Sequence, residues 1–185
     1  MKIASSAFHH ILTAAPRLLA GLRLSGVVLV AMLVLMSPTL AKPLPEKMSA
    51  VLLLKSLELV ENLDLQDPVK VLVLGNVKVA NTLEALMNNS ADRPLQVQVL
   101  TNQAPELVQP DVIFLSPQAS LPEVMLYAEQ SKVLTVTDNI DLATQGVVLT
   151  LYDNEGLPGI ILNVGASRAS GVQWSPQILE VADPL

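Results

Sequence analysis

The groups in this sequence best suited to chemistry are acidic side chains at the ends of predicted strands, namely Asp138, Asp141, Asp153 and Glu155. Two carboxylates that face one pocket can work as general acid and general base, as they do in glycoside hydrolysis. Spacing along the chain does not identify such a pair, because carboxylates a few residues apart occur by chance in any acidic protein. These four residues therefore do not predict an enzyme.

Histidine and cysteine carry most nucleophilic and metal-binding chemistry, and both are missing from the part of the chain expected to fold. The only histidines, His9 and His10, lie in a segment with the features of a signal peptide, and there is no cysteine. This excludes Ser-His-Asp and Cys-His catalysis, disulfides, and the usual zinc, copper and iron ligand sets. Gly75-Asn76 lacks the further glycines of a dinucleotide-binding turn. We expect no catalytic residue, no cofactor and no metal.

Arg168 is the remaining residue with recognisable binding chemistry. It lies among small residues in the segment GASRASG, and Arg93 is the only other arginine after residue 41. The five donors of a guanidinium suit a carboxylate or a phosphate. The alternative is structural, because Arg168 can also form an internal ion pair with Asp138 or Asp141.

The amino terminus has the order of features that defines a secretory signal peptide. A basic region is followed by the apolar run LSGVVLVAMLVLM, which begins at Leu24, and then by SPTLA with small residues at Thr39 and Ala41. The run is shorter than the ~20 residues that a transmembrane helix needs. We predict that residues 1–41 are a cleaved signal peptide and that the protein is periplasmic. An uncleaved anchor is the alternative.

The remaining 144 residues (185 − 41) are predicted to form one domain. All 17 acidic residues follow Ala41, but only eight of the 11 basic residues do (11 − 3), so this part carries a charge of about −9. Nucleic-acid binding needs a basic surface, and an acidic chain is repelled by an anionic membrane. We therefore expect neither nucleic acid nor a membrane surface as the partner.

Strands and helices alternate along this domain. After a lead-in over residues 42–47, apolar periodicity and turn residues predict the elements in this order: a helix over Met48–Leu63, a strand over Val69–Leu74, a helix over Val77–Asn88, a strand over Leu95–Leu100, a strand over Val112–Leu115, a helix begun by the capping box Ser120–Glu123, a strand over Val133–Val136, a hairpin of Val147–Tyr152 with Leu157–Val164, and a last helix capped by Ser175-Pro176. This order predicts an α/β fold, a three-layer α/β/α sandwich whose mostly parallel sheet ends in a C-terminal β-hairpin.

Several strand ends carry turn and capping residues. Asp138 is predicted to cap the turn over Asn139–Thr144, and Asn163 to cap the segment after the hairpin. Gly75 and Gly146 are interpreted as structural turn residues.

The order of several segments resembles the YfiR family. These segments are KVLVLGN, PDVIFLS, LPEVM, KVLTVTDNIDLATQGVVLTLYDNEG and ILNVGASRASGVQWSPQILEVAD. The match is that of a divergent member, since Gln145-Gly146 replaces the family's Gly-Gly and Pro110 stands where members often have a cysteine. The family's most recognisable positions are Thr137-Asp138, Gly146, Asn163 and Arg168.

The resemblance implies a periplasmic, non-enzymatic regulator. Such a protein binds the periplasmic sensor region of an inner-membrane signalling protein, such as a diguanylate cyclase, and modulates cyclic-di-GMP signalling and biofilm output. Thr137, Asp138, Asn163 and Arg168 are then the candidate partner- or ligand-binding residues. The alternative is a periplasmic small-ligand or accessory binding module in which Arg168 holds an anion. A homodimer is compatible with both, and no membrane insertion is expected after cleavage.

Overall fold

The computed structural model describes residues 44–64, 67–89, 94–116, 119 and 121–185. These residues belong to one compact unit, which begins at Ala41. The predicted signal peptide, residues 42–43 of the lead-in, Arg93 and the capping residue Ser120 lie outside the described residues, so the structure does not test them. The rest of the lead-in is described, and its last two residues, Glu46 and Lys47, already belong to the first helix.

Helices and strands alternate through the domain as the sequence predicts. In chain order they are α1 (Glu46–Leu57), β1 (Val69–Leu74), α2 (Val77–Asn88), β2 (Val97–Thr101), α3 (Pro105–Val108), β3 (Val112–Leu115), α4 (Leu121–Ser131), β4 (Leu134–Thr137), a 3-10 helix (Ile140–Gln145), β5 (Leu149–Asn154), β6 (Leu157–Leu162), α5 (Val164–Ser170), α6 (Ile178–Val181) and β7 (Asp183–Pro184).

The seven strands form one mixed sheet in the order β2-β1-β3-β4-β5-β6-β7. Strands β1 to β5 run parallel, β6 pairs with β5 as an antiparallel hairpin, and β7 runs parallel to β6. Every residue of β3 and β4 is buried, as expected for parallel strands that are covered on both faces. The predicted mixed sheet with a late hairpin is confirmed, although β7 was not predicted.

Helices cover both faces of the sheet, which confirms the three-layer sandwich. Side chains of α1, α2 and α6 pack on one face in a core that includes Phe114, which is completely buried. Side chains of α4 and the 3-10 helix pack on the other face around Ile113 and Leu115. Successive residues of β3 thus point to opposite layers, as the two-residue period of a strand requires.

Several predicted boundaries differ from the observed ones. The first helix ends at Leu57 rather than Leu63, because Val60 forms a β-bridge with Trp174 and the Glu61 N–H donates to the Gln173 carbonyl at 2.8 Å. The last helix is only one turn long and has no side-chain cap. Helices α3 and α5 were not predicted.

Candidate functional site

Thr137 ends β4 and is completely buried. Its hydroxyl donates to the Leu115 carbonyl at 2.8 Å and accepts from the Asn139 N–H at 3.1 Å. Both hydrogen bonds hold the chain where β4 turns into the 3-10 helix. Thr137 therefore shapes the turn from inside the protein and presents no atom to a partner.

Asp138 follows Thr137 and is half-buried. Burial raises the pKa of its carboxyl group, and the nearby Glu46 carboxylate adds to the rise, while the protein backbone and the Ser49 hydroxyl act in the opposite direction. The Ser49 hydroxyl lies close enough to influence Asp138, yet it makes no hydrogen bond of ordinary geometry within the described residues. Asp138 is thus a partly desolvated acid next to the amino-terminal turn of α1.

The sequence predicted Asp138 as the cap of this turn, and that prediction is wrong, because the cap of the 3-10 helix is Asn139. The Asn139 side chain accepts from the Asp141 N–H at 3.1 Å. An Asn in extended conformation suits this position, because its short side chain reaches the free N–H groups of the first turn. The helix ends at Gly146, where φ is +92°, and Gly75 after β1 also has a positive φ of 80°.

Asn163 follows β6 and is the N-cap of α5. Its side-chain oxygen accepts from the Ala166 N–H at 2.9 Å, and its amide nitrogen donates to the Ala143 carbonyl at 3.4 Å. The predicted capping role of Asn163 is therefore observed. Its second hydrogen bond ties the start of α5 to the 3-10 helix.

Arg168 lies in the last turn of α5, and its side chain is exposed. Within the described part of the chain the guanidinium makes neither an ion pair nor a hydrogen bond. The internal ion pair with Asp138 or Asp141, which was the structural alternative, is thus absent from this part. No described residue therefore occupies the guanidinium.

A groove of about 550 Å³ runs between α4 and α5, and we call it the α4–α5 groove. Its walls are mostly apolar or small side chains, namely Pro122, Met125 and Leu126 from α4 and Gly165, Ala166 and Ala169 from α5. Leu126 is 57% exposed, which is high for a large apolar side chain. Thr135, Gly146 and Asn163 line the groove as well.

One lysine connects the two walls. The Lys132 ammonium group, just after α4, donates to the Ala169 carbonyl at 2.6 Å. Because Ala169 is in the last turn of α5, this places a positive charge at the negative end of the helix dipole. Arg168 directly precedes Ala169, so the last turn of α5 contains one cation and is contacted by a second.

The predicted site residues thus fall into two groups. Asn163 and Gly146 line the α4–α5 groove, and Arg168 directly precedes the groove residue Ala169. Asp138 instead lies beside α1, which covers the other face of the sheet. Met125, Leu126 and Lys132 were missed by sequence reasoning. The signal for Leu126 was available, because it lies off the apolar stripe of its helix.

Neither a metal site nor a membrane span is found where the structure can be described. Within these ranges, no three acidic side chains cluster so as to hold a metal ion. None of the described helices combines the length and the apolar character needed to cross a membrane.

Comparison with known proteins identifies the family of this α/β sandwich. Residues 46–183 match the YfiR/HmsC-like family, and the chain belongs to that family. Thirteen solved chains also match, and one is described as a conserved domain protein from Vibrio cholerae. That match has a TM-score of 0.48 and 15% identity, and it covers 76% of this chain and 60% of the other. No curated protein matches the sequence.

Family membership confirms the resemblance found in the sequence. At the level of the family it supports a regulatory, non-catalytic, periplasmic protein of the kind that acts on diguanylate cyclases.

Proposed function

We propose that this protein is a non-enzymatic periplasmic regulator that binds the sensor region of an inner-membrane signalling protein, such as a diguanylate cyclase. Binding modulates cyclic-di-GMP output. The contact surface is the α4–α5 groove, together with Arg168 on its margin.

The composition of the α4–α5 groove is the observation that carries this proposal. Met125 and Leu126 line the groove together with the acid Glu129. Two cations lie at its α5 wall, because Lys132 donates to the groove residue Ala169 and Arg168 directly precedes Ala169 in the chain. An apolar centre with a charged rim is the usual anatomy of a protein–protein contact, and arginine is enriched among residues that dominate binding energy. The partner therefore presents an apolar side chain to the groove and a carboxylate to Arg168.

A small ligand is the second candidate, because the groove volume of about 550 Å³ is that of a ligand pocket. In that function Arg168 holds an anionic group of the ligand. The two functions predict different results when a cross-linker is placed at Leu126 in living cells. A regulator should be linked to a membrane protein there, whereas a small-ligand binder should not.

Site-specific photo-cross-linking tests the proposed function. A photoreactive amino acid is placed at position 126, on the exposed part of α4, and as a control at position 47, on α1 on the opposite face of the sheet. We expect position 126 to trap an inner-membrane protein that mass spectrometry identifies as carrying a periplasmic sensor region and a cyclase domain. Position 47 should not trap it, and deletion of the gene should change cellular cyclic-di-GMP. Cross-links equal at both positions, or none at position 126, would refute the groove as the contact surface.

Arg168 variants test the polar part of the contact with the trapped sensor region. Arg168→Ala should leave the free energy of unfolding within about 0.5 kcal/mol of the parent, because an exposed side chain with no ion pair to a described residue contributes little to stability. The same variant should weaken binding, and Arg168→Lys should not restore it if the carboxylate is held by two parallel hydrogen bonds. Lys47→Ala is the matched control. Full binding by folded Arg168→Ala would remove Arg168 from the surface.

A further inference from the structure

Lys132, the lysine that connects the walls of the α4–α5 groove, has an unusual backbone conformation. Its φ is +58°, in the left-handed region that residues with a side chain rarely adopt. The cause is the way in which α4 ends. The Val133 N–H donates to the Ala128 carbonyl at 2.9 Å, which is the longer hydrogen bond of a Schellman motif. Lys132 therefore occupies the position of that motif where glycine is preferred, because glycine has no Cβ.

The Lys132 side chain makes a contact that glycine could not make. Its ammonium group donates to the Ala169 carbonyl at 2.6 Å, in the last turn of α5, where carbonyl groups have no partner within the helix. The two carbonyls before that of Ala169 accept from the Gly171 and Val172 N–H groups at 3.1 and 3.2 Å. The ammonium group of Lys132 thus satisfies a carbonyl that the backbone leaves unpaired.

Among the residues that the structure describes, this is the only hydrogen bond that joins α4 and the turn after it to α5. The other side-chain hydrogen bonds at this end of α5 lead to residues outside α4. The Trp174 indole N–H donates to the Ser167 hydroxyl at 2.7 Å, and the Asn62 amide donates to the Gly171 carbonyl at 3.1 Å. Without the Lys132 ammonium group, the end of α5 keeps these two bonds and loses its hydrogen bond to the α4 side of the groove.

We propose that Lys132 is a positioning residue for the contact surface, because its ammonium group holds the last turn of α5, and Arg168 with it, in place against α4. Arg168 directly precedes Ala169, so a shift of that turn also moves the guanidinium. The backbone of Lys132 supports this role, since a costly conformation persists where the surrounding structure makes use of it. The inference rests on the proposed function, because it concerns the same surface.

Amide hydrogen exchange in the free protein tests the positioning of α5 without any partner. Lys132→Met keeps the aliphatic part of the side chain and the strained backbone but removes the ammonium group. We expect the Gly171 and Val172 amide protons, which close the end of α5, to exchange about fivefold faster or more in this variant. Lys132→Arg, which keeps a charged donor, should restore the exchange rates of the parent. The matched control is Lys55→Met, because Lys55 is an exposed lysine on α1 that pairs with Glu58 at 2.7 Å. Unchanged exchange in Lys132→Met, or an equal rise in Lys55→Met, would overturn the proposal.

Glycine at the same position separates positioning from stability. Lys132→Gly removes the ammonium group but relieves the backbone, so this variant should unfold at a higher urea concentration than Lys132→Met. Both variants should nevertheless bind the trapped sensor region about tenfold more weakly than the parent does. Binding that follows stability, with Lys132→Gly close to the parent, would indicate an ordinary structural role and overturn the proposal.

A double variant tests whether Lys132 acts through Arg168. If Lys132 positions the guanidinium, then Lys132→Met should weaken binding less in the Arg168→Ala protein than in the parent. Two losses that simply multiply would overturn the proposal. Failure of the proposed function is a separate result, in which position 126 traps no sensor region. The hydrogen-exchange measurement needs no partner and still decides whether Lys132 positions α5.

Discussion

Removing the hydroxyl of Thr137 should destabilise the protein, because that hydroxyl is completely buried and makes two hydrogen bonds. Thr137→Val keeps the size and the β-branch of the side chain. It leaves the Leu115 carbonyl and the Asn139 N–H without this partner. A buried polar group left unpaired costs about 1–3 kcal/mol, and Asn139 is partly accessible to water, so we expect a total loss of about 1–3 kcal/mol.

The neighbouring strand provides a matched control. Thr150 pairs with Thr137 across β4 and β5, and it is equally buried at 1% exposure. Among the residues that the structure describes, its hydroxyl has no hydrogen-bond partner. Thr150→Val therefore removes a buried polar group that makes no bond, and stability should stay within about 0.5 kcal/mol or rise.

Urea unfolding followed by far-ultraviolet circular dichroism, at pH 7 and 25 °C, measures both variants against the parent. The comparison is direct because the two substitutions are chemically identical and lie in register in one sheet. Equal losses in the two variants would show that the hydrogen bonds of Thr137 do not stabilise the turn. A loss above about 1 kcal/mol in Thr150→Val would show that its hydroxyl has a partner in solution.

Three further predictions concern the core, the acid beside α1 and the amino terminus. Phe114→Ala should cost about 3–5 kcal/mol in the same unfolding assay, since this side chain is completely buried in the sheet; a cost under about 1 kcal/mol would contradict that burial. Because the pKa of Asp138 is raised in the folded protein, its carboxylate destabilises the fold once the pH exceeds the ordinary value of 3.8. Asp138→Asn should therefore gain stability over the parent as the pH rises from there towards neutrality. An equal effect of the substitution at all pH values would contradict this. Amino-terminal sequencing of protein from the periplasm should find a chain beginning near Lys42, and a chain that still begins at Met1 would contradict the signal peptide.

The parts of the fold that the sequence predicts well are those decided by local pattern. Helix α2 and strand β3 are observed at their predicted boundaries, because Asn76 caps the helix and the strand is uniformly apolar. The end of α1 could not be predicted in the same way. It depends on a bridge between Val60 and Trp174, two residues far apart in the chain, and no local pattern records such a pairing.

In the candidate site, too, local interactions were predicted from the sequence and long-range ones were not. Asn163 was recognised as a cap because capping is a local interaction, and that interaction is observed. The environment of Arg168 was not predictable, since the small residues around it form a helix whose end is exposed. The α4–α5 groove needs two helices that only the sheet brings together, so its lining residues have no common signal in the sequence.

Trp174, which bridges to the segment after α1, also gives this protein a built-in optical reporter. It is the only tryptophan in the chain, and its indole N–H donates to the Ser167 hydroxyl of α5 at 2.7 Å. Indole emission responds to hydrogen bonding and to water, so any event that moves α5 should change the emission wavelength or the intensity of the fluorescence. Occupation of the α4–α5 groove can therefore be followed in unlabelled protein, by titration or stopped flow, from the fluorescence of Trp174 alone.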